Sequence, residues 1–385
     1  MRFELTKHRL MLSAATAALL AVPLFSAGAA TEISGSKDSA QDTTTDGDIT
    51  IDAAGGISIK AGKAAATINS NNFIDNVGTI SNGSTSNAIG VEVDTTSTTT
   101  PVTPILSPLG FTNAGTIDLS GSGNSKTAIL VTGGGNFVGP VDLLTTSVIQ
   151  VAGDTSSIFR LDSGTTMNGD ISLSGTMNQT PTTVNSLTSS SGTAIDIEGD
   201  LNGNLALDSA ALLSNVGEGA RGINIVGNIG PCDTSTGAAC ATSEPGFFYN
   251  GGSISVTGAQ SLSSSLHDAE SGTAVSIGGN IAGGIYNAGP TGSGSTVPAA
   301  VISGNGITPV FVISPSVQTA TTNTPITIGV YTDDTVDPGY SFYNRGNITA
   351  AAIDPNNSTA AVLFGGTSAA SPLTFQGGIF VSGEI

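Results

Sequence analysis

The sequence predicts an all-β protein, a parallel β-helix solenoid with loop insertions, because it contains internal repeats and has an unusual composition. A phrase of the form Ala-Ile-x-Ile-x-Gly-x-Leu-x-Gly-x-Leu occupies residues 194–205, and a close variant occupies residues 274–285. Looser copies begin at Ala128, Ile158, Gly222 and Ala361. A unit this short cannot bury its apolar side chains alone, so its copies must stack on one another.

The composition favours the same fold class. The 385 residues include 52 glycines and no tryptophan, and only 10% are charged, whereas a typical globular domain has about 25% charged residues. Many glycines suit a fold with many turns, and the hydrophobic share of 38% is large enough for a continuous core. We therefore expect a repetitive all-β fold.

The first 29 residues have the features of a secretory signal peptide. Three of the first nine residues are basic, residues 10–25 are apolar, and a small-x-small site predicts cleavage between Ala29 and Ala30. A membrane anchor is the alternative, but the apolar run is short and Pro23 interrupts it. We expect an exported protein whose mature chain has no transmembrane helix.

Residues 30–48 are predicted to be a mobile segment, and the solenoid is predicted to occupy residues 49–385 without a domain boundary. The last strand-and-corner unit, residues 375–383, is not followed by the polar cap that closes a solenoid. The sequence therefore predicts that the solenoid is incomplete at Ile385 or that a partner covers this end.

Each copy of the first phrase predicts two very short strands joined by a corner. Its apolar residues alternate with period two, as in a strand with one buried face, and glycine stands where one strand ends and the next begins. A second phrase has an apolar residue, Asn two positions later, Gly two positions after that, and then Ile. It occurs at residues 74–80, 111–117, 248–254 and 342–348. Asn and Gly predict a turn there, and stacked Asn side chains can form a hydrogen-bonded ladder.

The spacing of the repeats predicts insertions of variable length. Predicted core positions are Ile89, Ile129, Ile158, Ile195, Ile223, Val275 and Val362, which are 40, 29, 37, 28, 52 and 87 residues apart. Stretches rich in Thr, Ser and Pro predict insertions at about 94–110, 179–191, 231–246, 261–271, 287–298 and 312–340. Roughly 20–30 residues per coil, with coils about 4.8 Å apart, predict a rod of about 60 Å.

The charge balance excludes some partners. Removal of the signal peptide leaves 7 basic and 28 acidic residues, a net charge of −21. Such a chain is not expected to bind nucleic acid or anionic lipid by general electrostatics.

The two cysteines, Cys232 and Cys240, lie close together in the sequence. In an exported protein this pair predicts a disulfide within one insertion. Two free thiols are the alternative. No further Cys or His lies nearby to complete a tetrahedral metal site.

One motif suggests catalysis. Residues 366–372 resemble the serine-nucleophile segment of subtilisin-like proteases, with Ser368 in the nucleophile position. A triad also needs a histidine base, and that family has a Gly after its His, whereas His267 is followed by Asp268 and sits in a Ser-rich insertion. We predict a corner at this position and a solvated loop at His267.

Three other segments resemble ligand-binding motifs but do not match them. Acidic residues cluster at 42–48 and 333–339 but match neither an EF-hand nor a calcium-binding repeat. Residues 121–127 lack the glycine that precedes the lysine of a phosphate loop. We predict turns at all three, and no catalytic, cofactor-binding or metal-binding residue.

The signal peptide together with the two repeated phrases resembles the passenger region of bacterial type V autotransporters, including autotransporter-like adhesins. The resemblance covers nearly the whole mature chain. It implies a Gram-negative source, a right-handed helix, and display at the outer membrane or release outside the cell. It also implies two partners, the export machinery and a C-terminal outer-membrane β-barrel that would lie beyond Ile385.

On this basis we expect a structural or adhesive protein without enzymatic activity, which presents loops on a rigid rod to an unidentified surface ligand. The best loop candidates are residues 94–110, 231–246 and 312–340, since loops on a scaffold carry recognition. Two alternatives stay open: a β-helix enzyme that acts on polysaccharide, and a surface-layer or matrix repeat protein.

Overall fold

The strands of this protein wind into a parallel β-helix, as the sequence predicts. The computed structural model describes residues 30–82, 86–96, 104–181, 192–231, 245–258, 272–290, 298–318, 324–333, 336–352, 358–365 and 371–385. The right-handed winding implied by the resemblance stays a prediction.

The described strands are short, mostly three to five residues. In chain order they are β1 (Thr31–Ile33), β2 (Ser36–Lys37), β3 (Gln41–Asp42), β4 (Ile49–Ile51), β5 (Gly56–Ile59), β6 (Ala64–Ile68), β7 (Ile74–Asn76), β8 (Thr79–Asn82), β9 (Ile89–Asp94), β10 (Ile105–Leu106), β11 (Phe111–Asn113), β12 (Thr116–Leu119), β13 (Thr127–Thr132), β14 (Asn136–Val138), β15 (Val141–Leu143), β16 (Val148–Ala152), β17 (Ser157–Leu161), β18 (Thr166–Asn168), β19 (Ile171–Leu173), β20 (Thr176–Thr180), β21 (Thr193–Ile197), β22 (Asp200–Asn202), β23 (Leu205–Leu207), β24 (Leu212–Val216), β25 (Arg221–Ile225), β26 (Ile229–Gly230), β27 (Phe248–Asn250), β28 (Ser253–Thr257), β29 (Val275–Ile277), β30 (Ile285–Asn287), β31 (Val301–Asn305), β32 (Phe311–Ile313), β33 (Ile326–Ile328), β34 (Tyr331–Asp333), β35 (Val336–Asn344), β36 (Asn347–Ala351), β37 (Val362–Phe364), β38 (Leu373–Phe375) and β39 (Gly378–Val381). A four-residue helix, α1 (Thr43–Asp46), and a 3₁₀ turn, Pro315–Val317, are the helical elements of the described ranges.

Four sheets run along the rod, and the chain visits them in the order A, B, C, D. Sheet A is β1-β4-β7-β11-β15-β19-β23-β27-β30-β35-β39, with β34 added antiparallel to β35. Sheet B is β2-β5-β8-β12-β16-β20-β24-β28-β31-β36, and sheet C is β3-β6-β9-β13-β17-β21-β25-β29-β32-β37. Sheet D begins in the third coil as β10-β14-β18-β22-β26 and continues through bridges at Ile281 to β33 and β38.

The first predicted phrase is confirmed as a structural unit. Residues 194–205 lie in strands β21 and β22, the corners that follow them, and the first residue of β23, so the phrase marks the passage from sheet C through D to A. Glycines at these corners cannot be replaced, because the coils touch there. A Cβ on Gly199 would lie 2.3 Å from the carbonyl oxygen of Thr165 in the preceding coil.

Within the described residues, the strands of the solenoid begin at Thr31 and not at Ile49, so residues 30–48, which the sequence predicts to be a mobile segment, contain paired strands. Strands β1, β2 and β3 pair in parallel with β4, β5 and β6. This first coil spans only 18 residues, from Thr31 to its partner Ile49. Its strands are too short and too polar to show a repeat in the sequence, and pairing with the second coil orders them.

The eleven parallel strands of sheet A make ten steps, so the stack is about 48 Å long at 4.8 Å per step. The predicted length of about 60 Å was too large, because the insertions lengthen the coils. The longest coil spans 57 residues, from Ile285 to its partner Phe342.

Apolar side chains fill the interior in columns that follow the register. In sheet C the inward column is Val91, Ile129, Phe159, Ile195, Ile223, Val275, Phe311 and Val362. The column also includes Ala66, which pairs with Val91 and is fully buried. Two predicted core positions, Ile89 and Ile158, lie outside this column, although Ile158 is itself fully buried, and the prediction missed Ala66 and Phe311. Ile89 pairs with Thr127, and Ile158 precedes the residue that stacks on Ile129. Phe311 was overlooked because it adjoins a predicted insertion.

The predicted asparagine ladder is present in two pieces at the corner between sheets A and B. Asn76 donates to Asn113 (Nδ2 to Oδ1, 2.6 Å). Further along, Asn250 donates to Asn287 at 2.8 Å, and Asn287 donates to Asn344 at 2.6 Å. All five side chains are buried, and these hydrogen bonds satisfy most of their amide groups; Asn76 Oδ1 and Asn344 Nδ2, at the ends of the two pieces, have no hydrogen-bond partner among the described residues.

Candidate functional site

The outward-facing side chains of sheet A form a single straight row, which we call the outer column. Most sheet A strands have three residues with apolar or Asn side chains at both ends, so the middle side chain points outward. From the first coil to the last, the outer column is Glu32, Thr50, Asp75, Thr112, Asp142, Ser172, Ala206, Tyr249, Tyr286, Tyr343 and Phe380.

The C-terminal part of the outer column is aromatic. All five tyrosines of the sequence belong to this cluster, which we call the tyrosine face. Its members are Tyr249, Tyr286, Tyr331, Tyr340 and Tyr343, with Phe247 and Phe380 at its edges. Every member has its ring centroid within 5.5 Å of another ring of the cluster.

The rings differ in exposure. Tyr286 and Tyr343 stack with centroids 4.9 Å apart and planes 15° from parallel, and they are only 9% and 6% exposed. The β34–β35 hairpin brings Tyr331 against Tyr286 at 5.0 Å and Tyr340 against Tyr343 at 5.3 Å. Each such pair adds about 0.5–1.5 kcal/mol beyond the burial of area. Tyr249, Tyr331 and Tyr340 keep part of their surface in solvent.

The N-terminal part of the outer column is acidic. This part contains Glu32, Asp75 and Asp142. None of the eleven members of the whole outer column is lysine or arginine. Burial raises the pKa of the Asp75 carboxyl. Burial also raises the pKa of Asp142, the negative charge of Asp170 adds to the increase, and a hydrogen bond with Ser172 opposes it.

A second cluster of charges lies on the outer face of sheet C, and we call it the sheet C cluster. It contains Glu92, Arg160, Asp162, Asp196 and Glu198, which strands β9, β17 and β21 and the residues after them bring together. The Arg160 Nε donates to Asp162 Oδ1 at 2.6 Å.

Neighbouring polar side chains extend this cluster along the sheet. The Thr132 hydroxyl donates to Asp162 Oδ2 at 2.6 Å, and Asn224 Nδ2 donates to Asp196 Oδ1 at 2.8 Å. The Ser276 hydroxyl then donates to Asn224 Oδ1 at 2.7 Å. One hydrogen bond therefore connects β13 with the residue after β17, and two more connect β21, β25 and β29. Between these two groups Arg160 and Asp162 act on Asp196 through their charges.

Three carboxyls of the sheet C cluster are easier to protonate than usual. Burial is the main cause of the raised pKa of Glu92, Asp196 and Glu198. Nearby carboxylates raise these pKa values further, and Arg160 opposes the increase at Asp196 and Glu198. Carboxyls with raised pKa next to an ion pair can act as proton donors, which is the chemistry of general acid catalysis.

Two depressions lie further along the rod, the first on the outer face of sheet C and the second at the corner that follows its strands β25 and β29. One, of about 160 Å³, is lined by Arg221, Thr273 and Ser276 among others. The other, of about 310 Å³, is lined by Asn228, Asn280 and Gln318 among others. Ligand pockets usually have volumes of about 300–1,000 Å³, so the first depression is too small for more than a fragment of a ligand.

In the described ranges, no three His, Cys, Asp or Glu side chains are arranged to hold a metal ion. Nor does this part of the protein contain a helix with the length and apolar character needed to cross a membrane.

Most of the residues singled out in the sequence lie outside the described residues: Ala29, Cys232, Cys240, His267 and Ser368. The disulfide and the cleavage site therefore stay predictions. Ala30 is described, and it is exposed directly before β1.

Sequence reasoning missed both the outer column and the sheet C cluster. A signal for the tyrosine face was available in the second phrase. Tyr249, Tyr286 and Tyr343 each stand between an apolar residue and Asn, the position that faces away from the core. The sheet C cluster had no comparable signal, because its members are distributed over more than 100 residues of sequence.

No protein-family model matches the chain, and neither a curated protein nor a solved structure is significantly similar to it.

Proposed function

We propose that this protein is an exported, β-helical interaction protein, displayed on a cell surface or secreted, and that it acts as the passenger of an autotransporter-like protein. The observation that carries the proposal is the uninterrupted stack of eleven parallel strands in sheet A, from β1 to β39. Such a stack makes a stiff rod, which suits the display of binding surfaces away from an anchor point.

The distribution of polar and aromatic residues supports this role. The core is mainly apolar, whereas the outer face of sheet A carries acids and tyrosines and the outer face of sheet C carries a cluster of charges. The insertion at residues 312–340 contains β34 and the beginning of β35, which form a hairpin that adds a strand to sheet A. Tyr331 and Tyr340 of the tyrosine face belong to this part of the hairpin. Recognition therefore involves sheet faces as well as loops.

The proposal is tested by expressing the natural gene in a Gram-negative host. We expect mass spectrometry to find a mature N-terminus at Ala30, and we expect added protease to digest the protein on intact cells or in the medium. An Ala27→Leu/Ala29→Leu variant, which removes the small-x-small site, should keep its signal peptide. An uncleaved protein that stays inside the cell would contradict export.

A second candidate function is a β-helix enzyme that acts on polysaccharide, and the sheet C cluster is the observation that favours it. Glu198, with its raised pKa, would donate a proton to the leaving group, and Asp162, paired with Arg160, would act as the second carboxylate.

This candidate is tested by incubating the protein with a panel of neutral and acidic polysaccharides and measuring new reducing ends. Activity that Glu198→Gln and Asp162→Asn each lower by about 100-fold or more would support it. Asp118→Asn, on the outer face of sheet B, is the matched control and should have full activity. A panel without turnover would eliminate this candidate.

A further inference from the structure

The outer column is a preformed linear surface. Its members are on parallel strands held in register, with neighbouring strands about 4.8 Å apart, so the row from Glu32 to Phe380 runs along the rod. From Glu32 to Tyr249 the row is accessible to solvent, whereas the β34–β35 hairpin covers Tyr286 and Tyr343. A partner that binds along this row must therefore be extended and must have its own repeated groups. The rigidity of the sheet means that the protein loses little conformational freedom when such a partner binds.

The charge of the outer column indicates the sign of the partner. It contains three acids and no base, and the whole chain has a formal net charge of −19. An anionic partner would be repelled, whereas a cationic partner would be attracted at long range and paired at contact.

The aromatic part of the column is compatible with the same partner. Tyrosine and phenylalanine rings attract lysine and arginine through their negative faces, most strongly where water is partly excluded. Tyr249 and Tyr340 keep part of their surface in solvent, and Phe380 extends the aromatic row.

The junction between the acidic and the aromatic parts of the outer column is suited to a peptide with two separated basic residues. Between Asp142 and Tyr249 the column has only two small side chains, Ser172 and Ala206. The three steps from Asp142 to Tyr249 cover about 14 Å. An extended peptide advances about 3.3 Å per residue, so two basic residues four positions apart would place one cation at the Asp142 carboxylate and the other at the Tyr249 ring.

We propose that the outer column of sheet A binds an extended, cationic partner, namely a lysine- or arginine-rich peptide segment that lies along the rod. The inference rests on the proposed interaction function and names the class of its partner.

Tyrosine fluorescence gives a direct test, because the protein has no tryptophan and all five tyrosines belong to the tyrosine face. The probes are a nona-arginine peptide, an acidic control peptide of nine glutamates, and a soluble neutral glucan. We expect the arginine peptide alone to produce a saturable change in tyrosine emission, weaker at higher salt.

Variants separate specific binding from general attraction. Asp75→Asn/Asp142→Asn should weaken binding about fivefold or more, whereas Asp38→Asn/Asp118→Asn, which removes the same two charges elsewhere, should change it less than twofold. Tyr249→Leu should weaken binding about threefold, and Tyr249→Phe, which keeps a ring, should not. Far-UV circular dichroism checks that every variant is folded.

Three results would overturn the inference: no saturable binding of the arginine peptide, equal weakening in both double variants, or binding of the glucan instead of the peptide. The binding assay uses purified protein, so a failure of export in the proposed function leaves its result unaffected. A protein that is exported but does not bind the peptide would contradict the inference alone.

Discussion

The two halves of sheet A have the same interior and different exteriors. From β1 to β23 the outer column is acidic or small, and from β27 to β39 it is aromatic, while the inward side chains are apolar or Asn throughout. The inward side chains must fit a register shared by all coils, whereas the outward ones are free to differ. The fold and the chemistry of the outer face are therefore encoded at alternate positions of the same strands.

The largest expected effect is at inward positions, where the two halves should respond alike. Phe111 lies in the first half and Phe342 in the second, and they are 0% and 1% exposed. Phe111→Ala and Phe342→Ala should each lower the free energy of unfolding by about 3–5 kcal/mol, measured by urea denaturation. Tyr249→Ala, at an outward position, is the control and should have a clearly smaller effect. A small effect of either phenylalanine variant would show that its half is not part of the common core.

The next effect concerns the asparagine ladder of the second half. Asn287 connects Asn250 and Asn344, so Asn287→Ala removes two buried hydrogen bonds and leaves their partners unsatisfied. The free energy of unfolding should fall by about 2–4 kcal/mol in the same assay. Ser303→Ala, on the outer face of sheet B, removes one partly buried hydroxyl and should change it by less than about 1 kcal/mol. A loss below that value for Asn287→Ala would mean that the ladder contributes nothing specific.

A buried lysine lies in the N-terminal half of the rod, directly before β13 of sheet C. Lys126 is 0% exposed, and its Nζ donates to the carbonyl oxygens of Leu119 and Gly121. Burial lowers its pKa from 10.5, and Asp118 opposes this. Because the folded state releases this proton at lower pH than the unfolded state, the Lys126 contribution to stability should rise with pH between the lowered pKa and 10.5. Wild type should therefore gain melting temperature relative to Lys126→Met as the pH approaches 10. Parallel melting curves would contradict this assignment.

The smallest expected effect is a pH dependence of stability caused by the carboxyls on the outer face of sheet C. The raised pKa values of Glu92, Asp196 and Glu198 mean that the folded state binds these protons more tightly than the unfolded state. Their stabilising contribution is complete below the unfolded pKa values and is lost as the pH rises through the folded ones. The melting temperature should therefore increase as the pH falls through the raised pKa values towards the ordinary ones, 4.5 for Glu and 3.8 for Asp. A variant with amides at all three positions should show a smaller increase, and Asp38→Asn, at an exposed position, should behave as wild type.

The predictable parts of the fold are those encoded within one short segment. Residues 194–205 contain two strands and their corners, and the phrase around Asn76 contains a corner and its ladder residue, so both could be read locally. The register could not be read in this way, because it depends on how many residues each insertion takes up. For that reason Ile89 was assigned to the wrong position in its column, and Phe311 was overlooked.

The candidate faces were harder to predict than the fold for the same reason. Tyr286 and Tyr343 are 57 residues apart in the sequence, and only the pairing of β30 with β35 brings their rings together. The Tyr331 and Tyr340 rings join them because the predicted insertion at 312–340 contains the β34–β35 hairpin. Sequence periodicity indicates that a side chain faces outward, but it does not indicate its neighbours in the next coil.

Segments separated by long insertions stack in adjacent coils and so create the tyrosine face. Photo-oxidative formation of dityrosine at low protein concentration tests this stacking most directly, with mass spectrometry to identify the linked peptides. We expect an intramolecular link between the peptide that contains Tyr286 and the peptide that contains Tyr343 or Tyr331. The link to Tyr343 should be lost in Tyr343→Phe. Links only between different molecules, or no links at all, would contradict the stacking of these segments in adjacent coils.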